Sequence, residues 1–207
     1  MHSLIVVVAS YAVFLIPVAA ALVWLQVPRP QKLALAGVGV LAIVFAVVGI
    51  EVAAHVWADP RPFVVDGRAP LLPHAADNGF PSDHTTFAAA IAAALLPWRR
   101  RLATGLLLLA AAVGAARVAA HVHHVPDVVG GFLIGTAAAV LAILVVRALL
   151  RNRGGLGLRA ERHTESTWEN GTAAGTGGSV RRSDSWQTSR ATRPQTPPTS
   201  ARPSSGS

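Results

Sequence analysis

Three short polar clusters in an otherwise apolar chain hold the residues that could do chemistry. They are the segments 59–63 (DPRPF) and 80–84 (FPSDH), and the spaced set Arg117, His123 and Asp127. Each cluster stands at the end of an apolar segment. Guanidinium groups, imidazoles and free helix N-termini are groups that proteins use to bind phosphate and to transfer it. The set as a whole indicates a phosphate-handling site.

The third cluster pairs an imidazole with a carboxylate. His123 and Asp127 are four residues apart, so they share one face of a helix that Pro126 favours starting there. A carboxylate on one ring nitrogen fixes the tautomer and leaves the other nitrogen free as a nucleophile or base. Arg117 closes the preceding helix and could reach a phosphate from its side. The alternative is an interfacial ion pair with a solvated histidine.

The second cluster places Ser82, Asp83 and His84 at a predicted helix start. Free N–H groups and the positive end of the helix dipole make this position a natural anion site, to which Ser82 adds a hydroxyl donor. The alternative is ordinary capping, for which Ser and Asp are favoured. Capping accounts for Ser82 and Asp83 but not for His84.

The first cluster presents Arg61 between two prolines. A guanidinium makes fork-like contacts to phosphate oxygens, and the prolines stiffen the loop that carries it. An exposed loop arginine is the alternative.

Other polar residues are weaker candidates. Glu51 and His55 are four residues apart near the end of an apolar stretch. They could form a pair that lines the bundle, or they could support the site. His74, Asp77 and Asn78 lie in the loop between the first two clusters and could contact a headgroup.

Three neighbouring histidines, His121, His123 and His124, are spaced like metal ligands. No further acidic or cysteine partner is obvious nearby, so we expect neither a metal nor another cofactor. His121 and His124 are better interpreted as interfacial side chains, and His124 could touch the substrate.

The elements that must position these residues are membrane helices. The chain is 52% hydrophobic and 14% charged, which is typical of a membrane protein. A spanning helix needs about 20 apolar residues, a length that all but one of the apolar stretches reach. We therefore predict an all-α bundle with about five transmembrane helices, over 4–25, 33–58, 85–97, 102–120 and 128–150. The first stretch lacks a preceding Lys or Arg and is long for a signal peptide, so we expect it to be retained.

Loop charges predict the orientation. With five spans, the basic segments 26–32, 98–101 and the start of the tail fall on one side, which the positive-inside rule makes cytoplasmic. The N-terminus is then outside, and all three polar clusters lie on the extracytoplasmic face of the cell membrane.

The chain divides by composition into 1–150 and a tail, 151–207. The tail holds nine of the 18 Lys and Arg residues and is rich in Gly, Ser, Thr and Pro, so we expect it to be disordered. The net charge of +8 is largely a property of the tail and loops, and it favours anionic lipid headgroups rather than nucleic acid. The absence of cysteine excludes thiol chemistry.

The three clusters together resemble the signature of the type 2 phosphatidic acid phosphatase superfamily, over about residues 45–135. That signature has a lysine seven residues before Arg-Pro, then Pro-Ser-Gly-His or Pro-Ser-Asp-His, then Ser-Arg, five residues, His, three residues and Asp. The chain supplies Arg61-Pro62, the tetrapeptide 81–84, and Arg117, His123 and Asp127.

The chain departs from the signature at Ala54, which replaces the lysine, and at Ala116, which replaces the serine. The loss of the lysine is tolerated in the bacitracin-resistance-type undecaprenyl pyrophosphate phosphatases. The segment 60–84 looks particularly like that branch.

The resemblance implies a role for each matched residue. His123 would attack the terminal phosphorus and form a phosphohistidine, with Asp127 orienting it. His84 would protonate the leaving oxygen and then activate water. The phosphate-binding residues would be Arg61, Ser82, Asp83 and Arg117.

The predicted function is therefore that of a membrane lipid phosphatase acting on undecaprenyl pyrophosphate, which would recycle the cell-wall lipid carrier. A rival substrate is phosphatidic acid or phosphatidylglycerophosphate. A different class is a non-catalytic lipid-phosphate binder or transporter, and a third is a histidine-ligated metal or haem protein.

Overall fold

The computed structural model describes the backbone of residues 2–172 and the side chains of residues 3–152. Within that part the chain is helical, and its only β-type pairing is an isolated bridge between Pro60 and Asn78. The helices are α1 (His2–Tyr11), α2 (Leu15–Gln26), α3 (Arg29–Val56), α4 (Pro62–Asp66), α5 (Asp83–Ala94), α6 (Arg100–Ala119) and α7 (Val125–Thr172).

The predicted all-α membrane bundle is confirmed. By length and composition, four stretches of the described helices could cross a membrane: Ser3–Gln26, Arg29–Val56, Arg100–Ala119 and Val125–Asn152. They correspond to four of the five apolar stretches in the sequence.

The first of these stretches is not a uniform α-helix. A 3₁₀ turn, Ala12–Phe14, separates α1 from α2. Pro17 is the third residue after this turn, and its missing N–H cannot bond to the carbonyl of Val13 four residues earlier. The irregular turn therefore lies where the proline removes a helical hydrogen bond.

Helix α5 is short and central. Its 12 residues rise about 18 Å, whereas the hydrocarbon core of a bilayer is about 30 Å thick. It packs against α2, α3 and α6, and eight of its residues are buried, six of them alanines. Small side chains let the neighbouring helices approach closely. Whether this segment makes a fifth crossing stays a prediction, as does the orientation.

Glycines bring α7 against the first turns of α5. A Cβ added to Gly131 would lie 2.7 Å from the carbonyl oxygen of Ser82, and one added to Gly135 would collide with the carbonyl oxygen of Thr86. The four-residue spacing of these glycines therefore serves helix packing, as small residues do in membrane bundles. This contact sets the distance between the start of α5 and the start of α7.

The disordered tail, predicted over 151–207, falls largely on 173–207, outside the described residues. That part of the domain division stays a prediction.

Candidate active site

The three polar clusters meet at one end of the bundle. They surround a cavity of about 310 Å³, bounded on the α3 side by Ile50 and Ala54. Its other lining residues come from the loop 60–81, the first turn of α5, the end of α6 and the turn before α7: Arg61, His74, Asp77, Asn78, Phe80, Pro81, Asp83, His84, Arg117 and His123. The predicted convergence of the three clusters is present in the structure.

His123 and Asp127 form a buried pair, with 3% and 0% of their surfaces exposed. His123 Nδ1 lies 3.3 Å from Asp127 Oδ2. On the other side of the ring, Arg61 Nη1 lies 3.4 Å from Nε2. A guanidinium can only donate and a carboxylate can only accept, so these neighbours favour a proton on Nδ1 and a free lone pair on Nε2. The nitrogen with the lone pair is on the side of Arg61.

The turn that presents His123 is held by His121. His121 has a φ of 63°, in the left-handed region that non-glycine residues seldom adopt. Its Nε2 lies 2.9 Å from Asp66 Oδ2 at the end of α4. This hydrogen bond, together with one from the Arg68 N–H, lowers the pKa of Asp66. His121 therefore ties the turn to α4, and its Nε2 is engaged by Asp66.

Arg61 is anchored on several sides and is only 6% exposed. Its Nε donates to Asp77 Oδ1 at 2.6 Å, and Nη1 donates to the carbonyl of Val122 at 2.9 Å. Burial opposes ionisation of Asp77, but the hydrogen bond and charge of Arg61 still hold its pKa below the ordinary value. The guanidinium is thus fixed in one orientation at the cavity wall before any ligand binds.

Arg117 is a buried cation without a carboxylate partner among the described side chains. It is 3% exposed, and Nη1 donates to the carbonyl of Ala9 at 3.4 Å. Nη2 lies 3.4 Å from His74 Nε2, and Nε has no hydrogen-bond partner among the side chains and backbone that the structure describes. Burial lowers the pKa of His74, aided by the charges of Arg61 and Arg117, so the neutral imidazole can accept this hydrogen bond. A buried unpaired cation is costly unless an anion joins it.

Of the three site residues predicted at the start of α5, two line the cavity and one does not. Asp83 and His84 line the cavity. Ser82 does not: it is fully buried beneath the cavity, and its Oγ accepts a hydrogen bond from Thr85 Oγ1 at 3.2 Å. Its side chain also makes no capping hydrogen bond. The backbone N–H of Ser82 instead donates to the carbonyl of Asp127 at 3.0 Å, joining the second and third clusters.

Two predicted supporting residues lie outside the cavity. Glu51 is exposed on α3, because Ile50 and Ala54, four residues apart, are the ones facing the cavity. His124 is half-buried behind the site, with its Nδ1 3.2 Å from Asp59 Oδ2. The suggested substrate contact of His124 and the supporting role of Glu51 are not reflected in the arrangement.

Asn78 lines the cavity but has its hydrogen bonds within the protein. Its Oδ1 accepts from the N–H groups of Asp59 (2.8 Å) and Phe80 (3.1 Å), and its Nδ2 donates to the carbonyls of Ala54 and Trp57. Both donors and both acceptor sites of the amide are used. Asn78 is therefore a clamp that holds the first two clusters against the end of α3.

The structure places two aspartates, Asp59 and Asp77, next to site residues that the sequence alone does not connect with them. Asp77 fixes Arg61, and Asp59 lies beside Asp127 and His124, with ligand atoms of the three within 4.8 Å of one another. That spacing could admit a cation, yet Asp127 Oδ2 already accepts the N–H of His124 at 2.8 Å as well as facing His123. In the sequence, the only indication that Asp59 belongs to the site is its position two residues before Arg61.

A helical membrane bundle that gathers two arginines and a histidine–carboxylate pair at one cavity belongs to the class of membrane phosphate-handling proteins. The sequence model of the PAP2 superfamily matches residues 35–151, more than half of the chain. The chain belongs to this superfamily and is a membrane phosphatase. The resemblance inferred from the three motifs is thereby confirmed.

Two relatives support this assignment, and one solved structure shares the fold. Undecaprenyl-diphosphatase BcrC of Bacillus subtilis (strain 168) is 30% identical, over 71% of this chain and 74% of BcrC. The putative undecaprenyl-diphosphatase YbjG of Escherichia coli (strain K12) is 32% identical, over 72% of this chain and 75% of YbjG. The crystal structure of Aquifex aeolicus LpxE shares the fold, with a TM-score of 0.54 and 24% identity over 69% of this chain and 82% of LpxE.

Proposed function

We propose that this phosphatase hydrolyses undecaprenyl pyrophosphate to the monophosphate and inorganic phosphate through a phosphohistidine on His123. One observation carries the proposal: the Nδ1 side of His123 faces Asp127, and its Nε2 faces Arg61 across the cavity wall. The names of the two relatives support the choice of substrate.

In the first step, His123 Nε2 attacks the terminal phosphorus, a P–N bond forms and the bridging P–O bond breaks. Burial and the neighbouring cations lower the pKa of His84 to about 4 before the substrate binds, so His84 takes up a proton as the anionic diphosphate enters. It then donates this proton to the leaving phosphate oxygen, while Asp127 stabilises the positive charge on the ring of His123. Arg61 and Arg117 bind the equatorial oxygens, where charge is spread in the transition state. Fixed guanidinium groups supply this stabilisation without a metal.

In the second step, water attacks phosphorus while His84 takes its proton. The P–N bond breaks, inorganic phosphate leaves, and His123 regains its lone pair. The two histidines thus divide nucleophilic and acid–base work, as a two-step transfer requires. Asp83, at the cavity rim, would orient the substrate or water beside His84.

The basic loops favour an orientation with the cavity on the extracytoplasmic face. There the lipid diphosphate would enter from the headgroup layer, with its isoprenoid chain remaining in the bilayer.

The test is phosphate release from undecaprenyl pyrophosphate and from phosphatidic acid, in detergent with EDTA, by wild type and His123→Ala. Release that persists in EDTA and is lost in His123→Ala is expected, with His55→Ala as an exposed control. If the enzyme prefers phosphatidic acid, that lipid replaces undecaprenyl pyrophosphate as the proposed substrate. Absence of release from either lipid by folded wild type would favour a lipid-phosphate binder or transporter. Release that EDTA abolishes would refute the metal-free mechanism.

A further inference from the structure

A second carboxyl group lies behind the His123–Asp127 pair. Asp59, in the loop between α3 and α4, has a carboxylate oxygen within 4.8 Å of one of Asp127 and within hydrogen-bonding reach of that side chain. None of the roles proposed for the three motifs involves Asp59.

The hydrogen bonds of Asp127 leave one oxygen without a donor. Its Oδ2 lies 3.3 Å from His123 Nδ1 and accepts the backbone N–H of His124 at 2.8 Å. Its Oδ1 is buried, and no N–H or O–H group of the described residues is assigned to it. A buried carboxylate oxygen without a donor is costly. A protonated carboxyl on Asp59 would supply the missing donor.

Asp59 is held in place for such a contact. Its N–H donates to Asn78 Oδ1 at 2.8 Å, and its carbonyl accepts the N–H of Gly79 at 2.8 Å. Gly79 packs tightly here: an added Cβ would stand 3.1 Å from both Asp127 Oδ2 and the Asp59 carbonyl. The backbone around Asp59 is therefore fixed on both sides against Asp127.

The charges around Asp59 favour a shared proton. Burial and the neighbouring Asp127 carboxyl raise the pKa of Asp59, while His124 opposes the shift. His124 Nδ1 lies 3.2 Å from Asp59 Oδ2, but it is not aligned as a hydrogen bond. Asp77 shares a surface groove with Asp59, and Arg61 faces Asp77 and His123 instead. Two carboxyls so close commonly retain one proton between them.

We propose that Asp59 is a positioning residue for the nucleophile, whose carboxyl O–H donates to Asp127 and so holds Asp127 against His123. This inference rests on the proposed function in one respect, since it takes His123 as the nucleophile. Asp59 itself touches neither the substrate nor the reacting nitrogen. Its effect is to keep the pair of carboxyls at one negative charge and to fix the ring of His123.

The test compares Asp59→Asn, which keeps a donor at every pH, with Asp59→Ala, which removes it. Loss of a hydrogen bond to a charged group predicts a kcat about 10- to 100-fold lower in Asp59→Ala, with KM within about twofold. Asp59→Asn is expected to stay within about threefold of wild type at pH 7 and to retain activity at higher pH than wild type does. Glu51→Gln, an exposed acid-to-amide change, is the matched control.

Side-chain ¹⁵N spectra of His123 provide a readout that does not need turnover. We expect the Nδ1–H tautomer in wild type and Asp59→Asn, and a mixed or altered tautomer in Asp59→Ala. This readout separates the two proposals, because it tests the Asp59 contact even if neither lipid is a substrate.

The inference is overturned if Asp59→Asn loses as much activity as Asp59→Ala, or if Asp59→Ala keeps the wild-type kcat and tautomer. If Asp59→Ala fails to fold, the test rests on Asp59→Asn alone, through its kcat at pH 7 and the activity that it retains at high pH. Activity that EDTA removes and a divalent cation restores, with loss in Asp59→Asn, would assign the cluster of Asp59, His124 and Asp127 to a cation instead.

Discussion

Substituting Gly131 with alanine should push α7 away from α5 and disturb the site through the backbone. The added Cβ would lie 2.7 Å from the carbonyl oxygen of Ser82, about 0.7 Å closer than the 3.4 Å at which ordinary contact begins. Thr86 Oγ1, at 2.8 Å, can rotate away, but the Ser82 carbonyl belongs to the backbone. Relief therefore requires one helix to move. Such overpacking costs about 1–3 kcal/mol.

The displacement reaches the chemistry because Gly131 lies one turn after Asp127. The N–H of Ser82 bonds to the Asp127 carbonyl at 3.0 Å, so moving α7 strains the junction that positions His123. Misplacement approaching 1 Å can cost about 100-fold in rate, so we expect kcat to fall about 10- to 100-fold with a smaller change in KM.

The assay is thermal unfolding in detergent together with phosphate release, for Gly131→Ala and Gly105→Ala. A Cβ on Gly105 meets nothing within 4 Å, so that control should be neutral or slightly stabilising. We expect Gly131→Ala to lower Tm by about 2–12 °C relative to the control. If Gly131→Ala matched Gly105→Ala in both Tm and kcat, the close packing of α7 on α5 would not set the geometry of the site.

Three further changes test the electrostatics of the cavity. Arg117→Lys should lower kcat/KM about tenfold, since an ammonium cannot keep its fork of contacts, whereas the exposed Arg100→Lys should not; equal values would contradict this. Asp77→Asn should release Arg61 and raise KM. Because the pKa of Asp77 is depressed, the ionised carboxylate should stabilise the fold above about pH 4, and this stabilisation should be lost in acid. The Tm values of wild type and Asp77→Asn should therefore converge below about pH 4. His74 has a pKa below its ordinary 6.5, so the stability of the neutral ring is lost as pH falls below that value. His74→Gln should therefore flatten the fall of Tm between about pH 7 and 5; an unchanged slope would exclude His74 as its source.

Local spacing made the His123–Asp127 pair and the bundle predictable. His123 and Asp127 lie on one helix face, and hydropathy marked four helices long enough to span. The charges of the loops placed all three clusters at the same end, before any contact was known. These features depend on residues close together in the chain, or on a count of crossings.

What could not be predicted depends on side-chain direction and on contacts between distant segments. Ser82 is fully buried, does not line the cavity, and accepts a hydrogen bond from Thr85 Oγ1. Glu51 does not line the cavity, because the preceding residue, Ile50, is the one that faces it. The contact of Asp59 with Asp127 joins residues 68 positions apart, which no local periodicity reports.

The alanine at position 54 changes the way in which the cavity can hold a phosphate. Where the resemblance expects a lysine, Ala54 lines the wall and leaves Arg61 and Arg117 as the fixed cations of the lining. The charge of Arg61 is already balanced by Asp77 at 2.6 Å, whereas no carboxylate of the described residues pairs with Arg117. An entering phosphate therefore gains most of its net electrostatic attraction from Arg117, and mainly directional hydrogen bonds from Arg61. The two arginines are consequently unequal: loss of Arg117 should weaken binding more, and loss of Arg61 should disturb orientation at His123 more.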